Sequence, residues 1–287
     1  MNATIRRSFL NAADRAMPQR DFTFAPAKPP ELKPVDSTLA ISHSGMFGDM
    51  IWACAAIKEI VRLRGDHQPA DLYLYPKWPF FPVNEKTLAM IEPLLVQQPY
   101  IRSVQLSTEP VGMDINVFWP AVDIVPGWNI VDHYAHALKL RHTIQNDAWL
   151  TATSAWPSRI VVHRCVEADA TEKRHNPLMP WRQIVDRFGD RAVFVGTPKE
   201  HAAFSAEFGS VQHWPTADFF EVATIIQAAK FVFTDQGAVH TIAEAMKKPL
   251  MQETSPTVPS VIFHRPGTWY TDSPTVDFEA IAAAVPA

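Results

Sequence analysis

The chain has 287 residues, 47% hydrophobic and 11% aromatic, with a formal charge of -4, enough apolar material for one large core or two modest ones and too much for a disordered chain. No apolar run approaches the roughly 18 to 20 residues of a membrane helix, and the N-terminal stretch MNATIRRSFLNAADRAMPQR lacks the apolar centre of a secretory signal, which reads as a soluble, cytoplasmic protein. The negative charge gives no global attraction to a phosphate backbone, so DNA binding is unsupported, and the widely separated Cys54 and Cys165 read as buried free thiols rather than a disulfide or thiolate metal site.

Residues 1–36 read as an N-terminal arm, helical near Ile5 to Arg15 and then extended, because Pro18, Pro26, Pro29, Pro30 and Pro34 remove backbone donors and favour a polyproline-like conformation. Beyond it strands and helices alternate. STLAISHSG reads as a strand and glycine loop and DMIWACAAIKEIVRLRG as a helix. ADLYLYP is a strand, NEKTLAMIEPLLVQQ a helical stretch broken at Pro93, IRSVQLS and MDINVFW short strands, and NIVDHYAHALKL a helix. ATSAWPS reads as a linker. The pattern then restarts with strand RIVVHRC, helix PWRQIVDRFG, strand RAVFVGT, helices EHAAFSAEFG and DFFEVATIIQAA, strand KFVFTD and helix VHTIAEAMKKP. Two rounds of alternation predict two doubly wound α/β domains with parallel sheets, residues 37–152 and 153–287.

Parallel α/β sheets hold ligands beyond the carboxyl ends of their strands, where helix N-termini expose N–H groups. Two junctions have the composition for this. The first, Gly45-Met46-Phe47-Gly48-Asp49, precedes a helix expected to begin near Met50; its spacing is neither the dinucleotide fingerprint nor the phosphate loop, and Asp49 is there either a ligand-facing carboxylate or a helix N-cap. The second, FVFTDQGAVHTIAEAMKKP, sets Asp235, Gly237 and His240 between a strand and a helix closed by Lys247, Lys248 and Pro249. Gly237 would let a diphosphate approach the first turn, with His240 donating to a phosphate oxygen or hydroxyl. A capping Asp and a half-buried histidine are the structural alternative.

Together the two junctions carry a resemblance. HSGMFGDMIWACAAIKEI resembles the Gly-x-x-Gly-Asp loop and helix that open the ADP-heptose heptosyltransferases of glycosyltransferase family 9, and FTDQGAVHTIAEAMKKPL resembles their Asp-x-Gly-x-x-His segment. RIVVHRCVEADATEKRHNPLMPWRQIVDRFGDRAVFVGTPKEH, between them, is similar to the family's strand, basic loop, Pro/Trp helix start and glycine strand end, so the likeness spans residues 38–255. It implies a GT-B fold, two Rossmann-like domains facing a cleft, with the sugar nucleotide held mostly by the second. It also implies that Asp49 is the general base and that Arg174 or Lys173, seven or eight residues before Trp181, contacts the diphosphate, with Thr171 as a hydroxyl donor. Glu200 then takes the place of the acid on the nucleotide ribose, and Asp235, Gln236, Gly237 and His240 that of the sugar and diphosphate segment. Gln236 departs from a small hydroxyl residue and RHNP from Lys-x-Trp-Pro, changes that bear on nucleotide and sugar identity.

Such chemistry needs a deprotonated acceptor hydroxyl on one face of the anomeric carbon and stabilised negative charge on the other. A carboxylate from one domain, and a helix N-terminus with Arg174 from the other, predict an inverting glycosyltransferase without a cofactor or metal. No Asp-x-Asp clamp is present, and His133-x-x-His136 reads as a helix face rather than a metal pair. The expected acceptor is a saccharide or glycolipid hydroxyl, with a hydroxymethylated DNA base as the alternative. Lys77, Trp78, Phe80, Phe81, Trp119 and Trp128 are acceptor-side candidates. A noncatalytic nucleotide-sugar-binding protein and a nucleotide-sugar epimerase are the other classes; the presence of Asp49 favours an enzyme.

Overall fold

A computed structural model describes residues 38–77, 83–116, 128–165, 175–254, 259–271 and 278–285. The N-terminal arm of residues 1–36 lies outside the described residues, as do Trp78, Phe80, Phe81, Trp119, Thr171, Lys173 and Arg174.

Two wholly parallel sheets interleaved with helices make an α/β protein. The first contains β1 (Ala40–His43), β2 (Ala70–Leu74), β3 (Ile101–Leu106) and β4 (Met113–Asp114), with helices α1 (Phe47–Arg64), α2 (Glu85–Leu95) and α3 (Ile130–Ala137). The second contains β5 (Ile160–His163), β6 (Ala192–Val195), β7 (Gln212–Trp214), β8 (Phe231–Thr234), β9 (Leu250–Gln252) and β10 (Thr268–Tyr270). Its helices are α4 (Trp181–Phe188), α5 (Pro198–Phe208), α6 (Phe219–Ala228), α7 (Ala238–Ala245) and α8 (Phe278–Ala284). The spatial orders are β3-β2-β1-β4 and β10-β9-β8-β5-β6-β7. In both, the chain runs outward from its first strand and then returns to that strand's other side. The order therefore reverses between β1 and β4 and between β5 and β8, the places where such sheets open a crevice.

The central strands AISH, IVVH, AVFV and FVFT are short runs rich in β-branched and aromatic residues, nearly all buried, as strands covered on both faces require. Alternation along β5 splits its side chains. Val161 joins a core that also takes in Ile41, Leu72, Val193, Val232 and Ile242, whereas Ile160 and Val162 join Trp181, Phe188, Phe194, Phe233 and Ile281 on the far face of the second sheet. One core thus runs through both halves.

The seam is made of helices. α1 is buried almost all round because it lies between the first sheet and α7, and α2 packs on α6. Trp149 fastens the seam, its indole donating to the Ile51 carbonyl and its backbone N–H to Ala245. Phe47 meets Phe219 at 4.6 Å between ring centroids.

Several expectations change. α2 continues past Pro93 to Leu95, because Pro93 lies within its last turn and Val96 N–H still closes onto the Glu92 carbonyl. Cys54 is buried, whereas Cys165 is only half-buried. β7, β9, β10 and α8 were not anticipated; three-residue strands carry too little periodicity to register.

Candidate functional site

On the first sheet, β1 leads through Ser44 and Gly45 into α1. The helix starts at Phe47, earlier than the expected Met50, so Asp49 is its third residue rather than its cap. Gly45 makes this entry possible: its φ is +136°, and a Cβ there would sit 2.8 Å from Asp49 Oδ2. Asp49 is 7% exposed, and its Oδ2 accepts the Met46 N–H at 2.9 Å, satisfying an orphan donor of the helix start. The structural use of Asp49 is therefore present, which leaves its chemical role to be tested.

Around the carboxyl ends of β1, β2 and β4 lies a polar network that includes the acceptor-side candidate Lys77 and three residues, Tyr75, Asp114 and Asn116, that sequence reasoning passed over. Asp114 accepts Tyr75 O–H at 2.7 Å and Lys77 Nζ at 3.2 Å on one oxygen, and the backbone and side-chain N–H groups of Asn116 on the other. Asn116 Oδ1 accepts the Ser44 N–H at 3.0 Å, tying the network to the glycine loop. Burial raises the Asp114 pKa, but the donors from Asn116, Tyr75 and Lys77 outweigh it and hold the carboxyl below its ordinary value. Burial and the Asp114 carboxylate push the Tyr75 phenol up. Trp128 stands apart from this network, with the rings of His133, His136 and His142 at 5.5, 5.1 and 5.6 Å. Of the helical pair, His133 is buried and His136 exposed. Among the described residues no group of three or more His, Cys, Asp or Glu side chains could hold a metal.

On the second sheet, the ends of β5, β6 and β8 converge. Asp235 is 0% exposed: its Oδ2 accepts the Cys165 N–H at 2.9 Å, while Oδ1 has no hydrogen-bond partner and lies 3.7 Å from His163 Nε2. Sequence reasoning passed over His163. Gly196, at φ +155°, brings the next loop against it, since a Cβ there would stand 3.2 Å from His163 Nδ1 and 3.0 Å from Glu200 Oε2. Glu200, expected on a ribose, closes the capping box at the start of α5: Oε2 accepts both the N–H and the hydroxyl of Thr197, at 2.7 and 2.8 Å. Burial raises its pKa, yet His163 beside it and the Thr197 donors leave it below the ordinary carboxylate value. Gln236 is buried next to Asp235. The flanks of the segment carrying Thr171, Lys173 and Arg174 are held here too, since His175 Nε2 bonds the Cys165 carbonyl and Asn176 N–H donates to Glu253.

His240, expected to donate to a phosphate oxygen or hydroxyl, is buried rather than open to a cleft. Its ring is 1% exposed and meets Trp52 of α1 edge-on at 5.7 Å, because α7 turns that face toward the other half. Burial, aided by Arg265, pulls its pKa down to about 3, so it is neutral at ordinary pH and serves the helix seam.

The two junctions nevertheless lie side by side. A Cβ on Gly48 would stand 3.3 Å from Thr241 Oγ1, so the first turn of α1 abuts the first turn of α7. The helix carrying Asp49 and the helix opening after Asp235 and Gly237 meet at their N-terminal ends. A separate cavity of about 460 Å³ lies at the other end of α7, lined in part by Glu244, Lys247, Phe263 and Arg265. Its two cations are already paired with Glu244.

No family model matches the chain, and no curated protein does. Solved structures do. E. coli heptosyltransferase WaaC with ADP aligns over 82% of this chain and 92% of its own, with a TM-score of 0.56 at 12% identity. E. coli ADP-heptose lps heptosyltransferase II aligns over 86% and 97%, with a TM-score of 0.51 at 13% identity. The glycosyl transferase family 9 protein from Veillonella parvula aligns over 76% and 80%, with a TM-score of 0.51 at 11% identity. At such identities the likeness is one of fold: two Rossmann-like units in the GT-B arrangement.

Proposed function

We propose that this chain is a glycosyltransferase of the family 9 kind, moving a sugar from a nucleoside-diphosphate sugar to an acceptor hydroxyl, with a saccharide or glycolipid as the acceptor. The observation that carries the reading is the abutment of α1 and α7 at their N-termini, with Asp49 on one and the Asp235–Gly237 turn on the other. Heptosyltransferase WaaC, which shares the fold, was solved with ADP, and this supports a nucleoside diphosphate as the leaving group.

In this reading the acceptor hydroxyl gives its proton to the Asp49 carboxylate and attacks the anomeric carbon from the side opposite the diphosphate. The carbon–oxygen bond to the diphosphate breaks, and the configuration inverts. Charge left on the diphosphate is stabilised by the N-terminus of α7, equivalent to roughly half a positive charge, and by Lys173 or Arg174. These parts need no metal. The Asp114–Tyr75–Lys77–Asn116 network offers hydrogen-bonding groups on the acceptor side, next to the glycine loop.

A second reading is a nucleotide-sugar-binding protein without transfer, favoured by the capping bond that Asp49 already makes within its own helix. Both are tested by incubating the protein with a panel of nucleoside-diphosphate sugars and with glycan and hydroxymethylated-DNA acceptors at two salt concentrations, followed by mass spectrometry. Transfer to glycan with a shallow salt response supports the proposal. Transfer only to DNA, steeply weakened by salt, replaces the acceptor class. Donor binding with no transfer to any acceptor supports the noncatalytic reading.

A further inference from the structure

The cavity at the far end of α7 is walled by both halves of the molecule. Gln145 and Asn146, in the short turn Ile144–Asn146 after α3, line it together with Lys247, Phe263 and Arg265, and its volume of about 460 Å³ is in the range of small-molecule sites. The first half's share is fixed in place. Lys58 of α1 donates to the Ala148 carbonyl, the Gln145 amide is spent between Asn129 and Asp132, and the N–H groups of Trp149 and Leu150 meet the Ala245 carbonyl.

Charge on the cavity wall is layered. The Glu244 side chain is 0% exposed, whereas those of Lys247 and Arg265, which cover it, are 17% and 18% exposed. One carboxylate neutralises one of the two cations, and their donors are not used up. Among the described residues the Lys247 ammonium has one hydrogen-bond acceptor, Glu244 at 2.6 Å, and lies 4.3 Å from the centre of the Trp149 ring. Arg265 gives Nε–H to Glu244 and one bond from each terminal nitrogen, to the Pro266 and Lys248 carbonyls. An ammonium has three N–H groups and a guanidinium five, so both side chains keep N–H groups unspent. A helix C-terminus ordinarily disfavours an anion through its free carbonyls. Here the carbonyls of Ile242, Ala243, Glu244 and Ala245 already accept the N–H groups of Met246, Lys248, Lys247 and Trp149. Burial pulls the Lys247 pKa down against the pull of Glu244, and a second anion would add to the effect of Glu244. The wall therefore suits a group that brings negative charge and lone pairs but no protons. A phosphate has oxygens enough for both the ammonium and the guanidinium fork.

We propose that this cavity is a phosphate site, in which Lys247 and Arg265 hold one phosphate group, free or carried by a small ester, between the two halves. It does not depend on the glycosyltransferase reading. The eight residues of α7 span about 12 Å, which separates the site from the junction at the helix N-terminus. Because its wall comes from both halves, occupancy fastens the seam and raises the unfolding temperature.

The test is calorimetric titration with inorganic phosphate at an ionic strength held constant with sodium chloride, repeated in the presence of ADP or UDP, and then with glycerol 3-phosphate and with acetate. Lys247→Met keeps the aliphatic stem and leaves Arg265 on Glu244; it is expected to weaken phosphate about tenfold or more, the loss of a charged hydrogen bond. Asn146 is exposed, so its variants should fold. Asn146→Asp is expected to weaken phosphate, and Asn146→Lys to tighten it, each roughly two- to fivefold. Tighter binding of glycerol 3-phosphate than of phosphate supports the site with an ester as its ligand, and the reverse supports it with the free ion. Wild-type protein that binds no phosphate, or binds acetate as tightly, overturns the proposal. Phosphate displaced by ADP or UDP belongs to the N-terminus of α7 and overturns it too. So does unchanged binding in Lys247→Met or, if that variant does not fold, equal binding by Asn146→Asp and Asn146→Lys.

Discussion

The two halves of the molecule begin alike and end differently. Each sheet is built outward from a first strand that finishes on a histidine at the point where the strand order reverses, His43 in one and His163 in the other. His43 is 0% exposed, bonded through Nε2 to the Tyr134 hydroxyl of α3 at 2.7 Å, and burial pulls its pKa down to about 3. His163 stands between two close-approaching glycine turns with Asp235 opposite, and its side chain is 10% exposed. Topology puts a side chain at the mouth of each sheet. A helix covers the first, and two glycine turns close on the second.

The strongest way to break the comparison is at Asp49, the residue proposed to give the first half its chemical role. Asp49→Asn keeps an oxygen for the Met46 N–H, so folding and donor binding should hold while transfer falls about 10²- to 10⁴-fold, the range for losing a general base. Transfer near the wild-type rate would reduce Asp49 to its capping bond. Next is the seam that makes the halves one body. Trp52 of α1 is buried, stacks on Phe263 at 4.9 Å and meets His240 of α7. Trp52→Ala should cost about 3–5 kcal/mol in urea unfolding and lower the stability of both sheets together; a loss under about 1 kcal/mol, or two separate transitions, would show that the halves fold independently.

The buried histidines give a smaller, pH-dependent effect. His43 and His240 have folded pKa values near 3, below the ordinary 6.5, so the unfolded chain binds more protons over this interval and stability rises with pH through it. Each should remove about 1.4 kcal/mol per pH unit as pH falls below 6.5. The lowered carboxyl of Glu200 adds to the same slope near its ordinary value of 4.5 and, ionised in both states, adds none well above it. Unfolding free energies between pH 4.5 and 7 should therefore slope upward, and His43→Gln and His240→Gln should each flatten the slope; an unchanged slope in both variants would contradict their burial. The smallest expected effect is that of a chelator. On the proposed mechanism, in which α7 and basic side chains meet the charge on the leaving group, EDTA at matched ionic strength should leave turnover unchanged, and loss of activity restored by magnesium or manganese would replace the helix with a metal.

The alternation of strands and helices was legible in the sequence because it is local: four-residue runs such as IVVH and FVFT, and the glycine turns before α1 and α7, announce themselves within a few residues. The pairing of the two junctions was legible only as a resemblance in order and spacing. Everything that depends on distant neighbours was left to the tertiary structure. Tyr75 and Asp114 are 39 positions apart and His43 and Tyr134 are 91 apart, so neither the polar network around Asp114 nor the burial of His43 leaves a local mark. His240 fits the motif for a phosphate contact, yet the packing of α7 on α1 turns its ring into the seam. His163 fits no motif and stands beside Asp235 because β6 and β8 pair on either side of β5. Residue type and spacing set which chemistry is on offer at each strand end. Desolvation and proximity, which arise only when remote segments pack, decide which of those groups can use it.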